Sequence, residues 1–252
     1  MIVGSTSTNI AIITTCSAVL SILGFFHFNF TISNCLIFIL SFYVLNILGN
    51  WLMLHRYYSH KSFEFKYDFI RIILTFFTIL SARGSPIGWA YIHRKHHRFS
   101  DTEKDPHSPL HLGLKLFGFQ HYKSMESQNM ELFLVKDLMN KEQIFIHKYY
   151  VLLLLFCIIP ISLYSVELFY FLWILPITIV HLSQNLFNYF GHTYGYKNHI
   201  TNDNSKNNLW LFPLLLGEAW HNNHHYNPKL NTTKFLKYEF DPLNIFIRLV
   251  KK

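Results

Sequence analysis

CLIFILSFYVLNILGNWLML (Cys35–Leu54) contains no Lys, Arg, Asp or Glu and runs without a break into HRYYSH (His55–His60). About 20 apolar residues of helix cross the roughly 30 Å hydrocarbon core of a bilayer. The stretch therefore predicts a membrane span with a pair of imidazoles where it leaves the lipid. Three further uncharged segments have comparable length, at about residues 9–26, 149–166 and 168–187. The links are short, HFNFTISN after the first span and little more than Glu167 after the third, so each pair reads as a helical hairpin. Of the 252 residues, 51% are hydrophobic, 18% aromatic and only 14% charged, against roughly 25% charged in an average soluble domain. An ordinary soluble globule and a polar disordered chain are both excluded.

No Gly/Ser/Pro-rich linker or internal repeat divides the chain, which reads as one domain over residues 1–252. Nothing basic precedes the first span, so that segment is expected to stay in the mature protein rather than be cleaved. Cys16, Cys35 and Cys157 lie inside apolar runs without CxxC spacing and read as buried free thiols. All 22 Lys and Arg residues fall within 56–148 or 197–252. Basic residues accumulate on the cytoplasmic side, so both hairpin tips should face outward. Residues 55–148 and 188–252 then form a cytosolic cap, its net charge of +8 facing anionic headgroups. No nucleic-acid motif accompanies that charge. Within the cap, Phe69–Leu80 and Leu209–Leu216 are apolar but too short to span, and read as interfacial or re-entrant helices.

Three histidine clusters stand on the cap side. HRYYSH supplies His55 and His60, HRKHH supplies His93, His96 and His97, and HNNHH supplies His221, His224 and His225. In the second and third, the i, i+3, i+4 spacing puts the imidazoles on one helical face. The fourth span carries a polar stripe, His181, Gln184, Asn185, Asn188 and His192, at i, i+3, i+4, i+7 and i+11. Polar groups at membrane depth face a protein interior or a wet cavity, so the stripe should look into the bundle and bring His192 to the other histidines. Asn188, one turn behind, is placed to hydrogen-bond or to hold a metal-bound water. Structural roles are assigned to His27, His107, His111, His121, His147 and His199, and bundle hydrogen bonding to His181.

Nine imidazoles packed together have no structural benefit, whereas metal ions satisfy them all. A structural zinc is complete with four ligands, so nine imply two ions. A two-ion, all-histidine site beside an apolar cavity points to dioxygen chemistry on a lipid, for which iron rather than redox-inert zinc has the chemical motive. Glu218, three residues before His221, and Asp101 and Asp105, after the second cluster, are candidates to orient the imidazoles.

These motifs resemble the membrane fatty-acid desaturases, specifically the delta-9 acyl-CoA/acyl-lipid branch and its bacterial members. The residues carrying the resemblance are HRYYSH, GSPIGWAYIHRKHHRFSDTEKDPHSP (Gly84–Pro109), NYFGH (Asn188–His192), GEAWHNNHH (Gly217–His225) and EFDP (Glu239–Pro242). The resemblance implies an all-α integral membrane protein with four transmembrane helices in two hairpins and a cytosolic helical cap holding a di-iron site. It implies ligation by the nine histidines, Asn188 acting through water. The reaction implied is O2-dependent insertion of a cis double bond, delta-9, into a long-chain acyl thioester or acyl lipid. Two electrons would come from an external donor, cytochrome b5 or a ferredoxin-like carrier. The membrane would be a bacterial cytoplasmic membrane, alternatively the endoplasmic reticulum.

Two positions depart from the animal acyl-CoA enzymes. An Arg-Asp pair that precedes their second cluster and helps hold CoA is replaced here by Tyr91 and Ile92, which makes a CoA thioester less secure and leaves a lipid-bound or carrier-protein-bound acyl chain open. Arg94, Lys95, Arg98 and Lys104 read as a solvated basic face, with contact to a phosphate-bearing headgroup as the alternative. The same site performing hydroxylation or acetylene formation is the alternative nearest in chemistry. A histidine-rich metal transporter is the alternative from another class, but it would carry its ligands at mid-membrane, whereas eight of the nine here lie clearly outside the predicted spans.

Overall fold

The structure, a computed structural model, describes residues 4–117 and 131–252. His121 lies outside the described residues. The described chain is helical, its only extended pairing being isolated bridges such as Phe65 with Lys251. Four helices are long and apolar enough to cross a bilayer: α1 (Ser7–His27), α2 (Ile32–Ser59), α5 (Lys141–Tyr164) and α6 (Val166–Thr193). Between them lie α3 (Asp68–Leu80) and α4 (Pro86–Phe99), and after them α7 (His221–Tyr226) and α8 (Pro242–Val250).

The helix starts follow from local sequence. Thr6, Thr31, Ser85, Asn140 and Ser165 each accept a hydrogen bond from the backbone N–H three residues on, and Pro86 occupies the first turn of α4. α1 and α2 are joined across Phe28–Thr31, and α5 and α6 across Ser165 alone. Both tips lie at one end of the bundle, where Asn34 Nδ2 donates to Glu167 Oε1 at 2.8 Å. At the other end Ser5 N donates to His147 O at 2.8 Å, tying the start of α1 to α5. α6 packs against both α1 and α2, so the most polar of the four helices is also the most enclosed.

The helices outrun the apolar stretches. The apolar count ends the second and fourth spans at Leu54 and Phe187, yet α2 continues to Ser59 and α6 to Thr193. Hydropathy measures the part that suits lipid, whereas a helix persists wherever its hydrogen bonds and one packed face do. His55 and His192 therefore ride on extensions of spanning helices, and seven of the nine histidines, not eight, lie off them. From Leu45 to Ser59 the turns of α2 widen to π-type i→i+5 bonding. Gly49 permits the close approach of α3, since a Cβ there would lie 2.3 Å from Phe77 O.

Two buried clusters divide the interior. One joins the four long helices through Ile10, Phe42, Leu154, Tyr170, Phe171 and Val180. The other lies in the cap, around Trp51, Leu52, Tyr58, Phe187, Leu211 and Ile247. Large apolar side chains stand exposed along the spans, Phe26, Phe156 and Leu163 among them, the surface expected against lipid tails. α3 exposes Phe69, Ile72, Ile73 and Phe76, and Leu209 and Trp210 are exposed as well, in keeping with the short apolar segments lying at an interface. The thiols are free but not buried: Cys16 is exposed and Cys35 and Cys157 are half-buried, because apolar positions on spanning helices face outward as often as inward.

Candidate metal centre

All nine histidines converge at the end of the bundle opposite the hairpin tips, and they separate into two groups. His55, His60, His93, His97 and His224 form one, and His96, His192, His221 and His225 the other, the candidate ligand atoms within each lying within 4.8 Å of one another. The division follows from helix geometry. On α4 the i, i+4 pair His93 and His97 turns to the five-histidine group while His96 joins the four. On α7 the i, i+4 pair His221 and His225 serves the four-histidine group and His224 crosses to the five. Neighbours in sequence diverge by about 100° around a helix, so His96–His97 and His224–His225 each reach both groups. Two facing helices thus interleave their ligands.

The HRYYSH spacing also finds its reason. At 3.6 residues per turn His55 and His60 would point about 140° apart. The π-type turn closes with His60 N donating to His55 O at 3.2 Å, stacking residues five apart and bringing both rings to one group.

Hydrogen bonding alone cannot account for the ring contacts. Nε2 of His60 lies 2.7 Å from that of His93, His93 3.1 Å from His97, His97 3.0 Å from His224, and His224 3.1 Å from His55. A ring nitrogen offers one hydrogen or one lone pair. His93, His97 and His224 each face two neighbours and cannot satisfy both. A cation receiving the lone pairs of neutral imidazoles would remove the conflict. In the other group His192 Nε2 and His221 Nε2 are 2.9 Å apart, and the buried Nε2 of His225 has no hydrogen-bond partner. The donor sets fit two metal ions.

Carboxylates hold the opposite ring nitrogens. Glu218 Oε2 lies 2.9 Å from His55 Nδ1, Asp105 Oδ2 2.9 Å from His96 Nδ1, and Asp101 Oδ2 3.0 Å from His192 Nδ1. Asp105 and Asp101 hydrogen-bond Nδ1 of His96 and His192 and leave Nε2 as the donor atom, while Glu218 makes a close ion-pair contact with His55. Asp101 is presented from a left-handed backbone at φ 62°, a conformation Asp tolerates better than most residues, and its loop is closed by Asp101 N donating to Asp105 Oδ2 at 2.9 Å. Sequence reading missed a fourth acid, Asp203, whose Oδ2 lies 2.7 Å from His225 Nδ1. It sits in the polar loop TNDNS, 22 residues before its partner, with no helical spacing to mark it; an acid among turn-forming residues was the only signal.

Burial holds His60, His93, His97, His221 and His224 well below the ordinary imidazole value, with neighbouring imidazoles adding to the effect. Burial likewise pushes His225 down to about 4, Asp203 opposing. These rings are neutral lone-pair donors, the form a metal requires. His96 goes the other way, Asp105 outweighing its burial. Asp105 and Asp203 resist burial and are held well below the carboxylate range by His96 and His225 respectively.

Asn188 lies one turn from His192 and accepts a hydrogen bond from Gln184 at 3.1 Å; Gln184 in turn accepts from Asn50 of α2 at 3.2 Å. Gln184 and Asn188 of the stripe are thus paired inside the bundle, whereas Asn185 is half-buried. Asn188 and Gln184 line a cavity that also meets Ile10, Trp89, Ile92 and His93. His181 bonds to Thr14 and Arg83, and His147 Nδ1 lies 2.7 Å from Ser85 Oγ; neither belongs to a histidine group. His107 stacks on His96, closer to the centre than the sequence suggested. Gly191 is required by His221, whose Cδ2 would lie 2.8 Å from an added Cβ.

The basic face is largely spent on structure. Arg94 donates to Ser59 O, Tyr58 O and Leu134 O, each at 2.7 Å, and to both oxygens of Asp137. Lys95 is buried, 3.5 Å from Glu131. Neither is free for a headgroup. Lys104 is exposed, over Phe99.

A family model described as fatty acid desaturase matches residues 33–238. The palmitoyl-monogalactosyldiacylglycerol delta-7 desaturase of Arabidopsis thaliana is 35% identical over 193 residues, 72% of this chain and 50% of that protein. Delta-9 acyl-lipid desaturase 2 of the same organism is 34% identical over 199 residues, covering 73% and 61%. A hex-5-enoyl-[acyl-carrier protein] acetylenase of Moorena producens is 29% identical over 208 residues, covering 74% and 64%. The chain spans between half and just under two-thirds of the length of these relatives.

Proposed function

Because the chain belongs to the fatty acid desaturase family, we propose that it desaturates a long fatty acyl chain, inserting a cis double bond at two adjacent methylenes. The atoms balance as –CH2–CH2– plus O2, two electrons and two protons giving –CH=CH– and two waters. The observation that carries this reading is the convergence of nine imidazoles as a five and a four beside a cavity reaching His93. His55, His60, His93, His97 and His224 would hold one iron and His96, His192, His221 and His225 a second. Asn188 would reach the site through water. Bound iron supplies the O2 chemistry that an unactivated methylene demands, since such a carbon has no proton acidic enough for a side-chain base.

The chain's own residues position and enclose. Glu218, Asp101, Asp105 and Asp203 orient imidazoles and fix their tautomers. Trp89, Ile92 and Ile10 give the cavity apolar walls that hold an acyl segment in one register and keep bulk water out. The substrate is an acyl lipid or carrier-bound acyl group rather than a CoA thioester, a choice supported by Tyr91 and Ile92 and by the lipid and carrier-protein substrates in the relatives' names. Electrons come from an external carrier, ferredoxin-like or cytochrome b5. The protein is a membrane protein; we assign the histidine end to the cytosol from the distribution of Lys and Arg, and the membrane to a bacterial cytoplasmic membrane.

Delta-9 is the proposed position, although the relatives include a delta-7 enzyme. Acetylene formation is the second reading, favoured by the relative that performs it. A metal transporter fits poorly, because ligands are interleaved at the end of the bundle and not strung along a path. Expression in a host lacking its own desaturase, followed by mass-spectrometric location of new unsaturation, tests the assignment. A cis double bond is expected. No unsaturated product, with iron, O2 and a competent donor present, overturns it, and a triple bond favours the second reading.

A further inference from the structure

The EFDP motif (Glu239–Pro242) lies far along the chain from the first histidine cluster, yet Asp241 is linked to it by a continuous buried relay. His55 Nδ1 is 2.9 Å from Glu218 Oε2, and Arg56 Nε donates to the other oxygen of Glu218 at 2.6 Å. Arg56 Nη1 and Nη2 donate to the two oxygens of Asp241 at 3.0 and 3.1 Å. None of these side chains is more than 3% exposed. Glu218 thus serves two cations or donors at once. Its pull on His55 depends on how much of its charge Arg56 takes.

Asp241 settles that division. With Asp241 ionised, the guanidinium fork faces one carboxylate in bidentate fashion and spends only Nε on Glu218. The relay carries two carboxylates and one guanidinium, leaving one net negative charge beside the five-histidine group. The four-histidine group differs, because Asp101, Asp105 and Asp203 act on its rings and Arg56 touches none of them. The two groups therefore have separate electrostatic support.

We propose that Asp241 is a positioning residue that acts through Arg56 and Glu218 to orient His55 and set the metal affinity of the five-histidine group alone. It rests on reading both groups as iron positions. Replacing Asp241 by Asn leaves Arg56 with one charged partner, draws Glu218 toward the guanidinium and loosens its close contact with Nδ1 of His55. Outer carboxylates of this kind typically change metal affinity by about 10- to 100-fold.

The test is iron retention by the purified full chain in detergent under graded chelator, measured by mass spectrometry of the metal. Wild type is expected to hold two irons per chain, and Asp241→Asn to lose one at a chelator concentration 10- to 100-fold lower. Asp241→Glu should restore much of the difference. In a His93→Ala background, which empties the five-histidine group, adding Asp241→Asn should release nothing further, whereas adding Asp203→Asn should release the remaining iron. A merely structural role for Asp241 would loosen both irons in the otherwise native chain and the remaining iron in the His93→Ala background, and that result overturns the proposal, as does unchanged retention of both irons in Asp241→Asn. If Asp241→Asn fails to accumulate, Arg56→Lys, which keeps the charge and removes the fork, goes through the same measurement with the same two outcomes. Wild type holding no iron would overturn the reading of the groups as metal positions, and the relay with it; two irons in wild type and two equally tight in Asp241→Asn would sink the relay alone.

Discussion

Asp203→Asn isolates the contribution of a single carboxylate to the centre. In the native arrangement Asp203 Oδ2 takes Nδ1–H of His225 at 2.7 Å, while Oδ1 accepts from Ser205 N at 3.0 Å and from Thr201 Oγ1 at 2.9 Å. An Asn amide keeps an oxygen where Oδ1 stands, so the loop retains both of those bonds. At the other position an NH2 now meets Nδ1–H, donor against donor. The ring must give up that bond or move its proton to Nε2, which then cannot ligate. A hydrogen bond to a charged group contributes about 1.5–3 kcal/mol and a neutral one about 0.5–1.5, so at least about 1.4 kcal/mol is lost, a tenfold factor. The tautomer penalty adds to it. A 10- to 100-fold weaker affinity at the four-histidine group is expected, with the protein otherwise folded. Chelator competition against wild type measures it, and circular dichroism checks the fold. Wild-type affinity in Asp203→Asn would refute the reasoning, because it would show that tautomer control at His225 is irrelevant to metal binding.

Other perturbations separate ligands from scaffold. His97→Ala or His224→Ala should abolish activity and one iron together while membrane insertion, read by fractionation, stays intact; full turnover with both irons retained would exclude these rings as ligands. His147→Ala should leave iron content unchanged and cost about 1 kcal/mol through the Ser85 cap, seen as a lower unfolding temperature. Gly191→Ala should displace the His221 ring and selectively release iron from the four-histidine group, measured by metal analysis. The metal-free protein should lose stability as pH falls below about 6.5: imidazoles such as His60, His93 and His225 have folded values depressed by burial, so the unfolded chain takes up protons first. Iron should suppress that loss, and melting curves of the loaded and stripped protein from pH 7 to 5 would show it.

Much of the architecture was legible because it depends on local composition. The absence of charge across Cys35–Leu54 and its three counterparts, with 22 basic residues confined to the remainder, dictates four long helices whatever their packing. The histidine spacings on α4 and α7 and the polar stripe on α6 likewise marked seven of the nine rings, since helical periodicity alone puts them on common faces, while His55 and His60 were marked by their place at the end of the second apolar stretch. The tips of α2 and α6 were harder to place, because a helix that leaves lipid for a protein cap no longer shows in hydropathy.

Tertiary structure decided how those faces meet. Two rings adjacent in sequence, His96 and His97, take opposite groups only because α7 lies across from α4 with its own i, i+4 pair reversed. No periodicity in a single strand of sequence contains that. Asp203 lies against a ring 22 residues away, and Asp241 is linked through Arg56 and Glu218 to one 186 residues away, separations that no local pattern reports. Arg94, to the eye a surface base, proves to clamp α4 to the end of α2 and to Leu134. Apolar pattern and helical spacing are properties of a chain and can be read along it. The sharing of nine imidazoles between two positions, and the carboxylates that set their tautomers, depend on which elements touch, and only the folded bundle determines that.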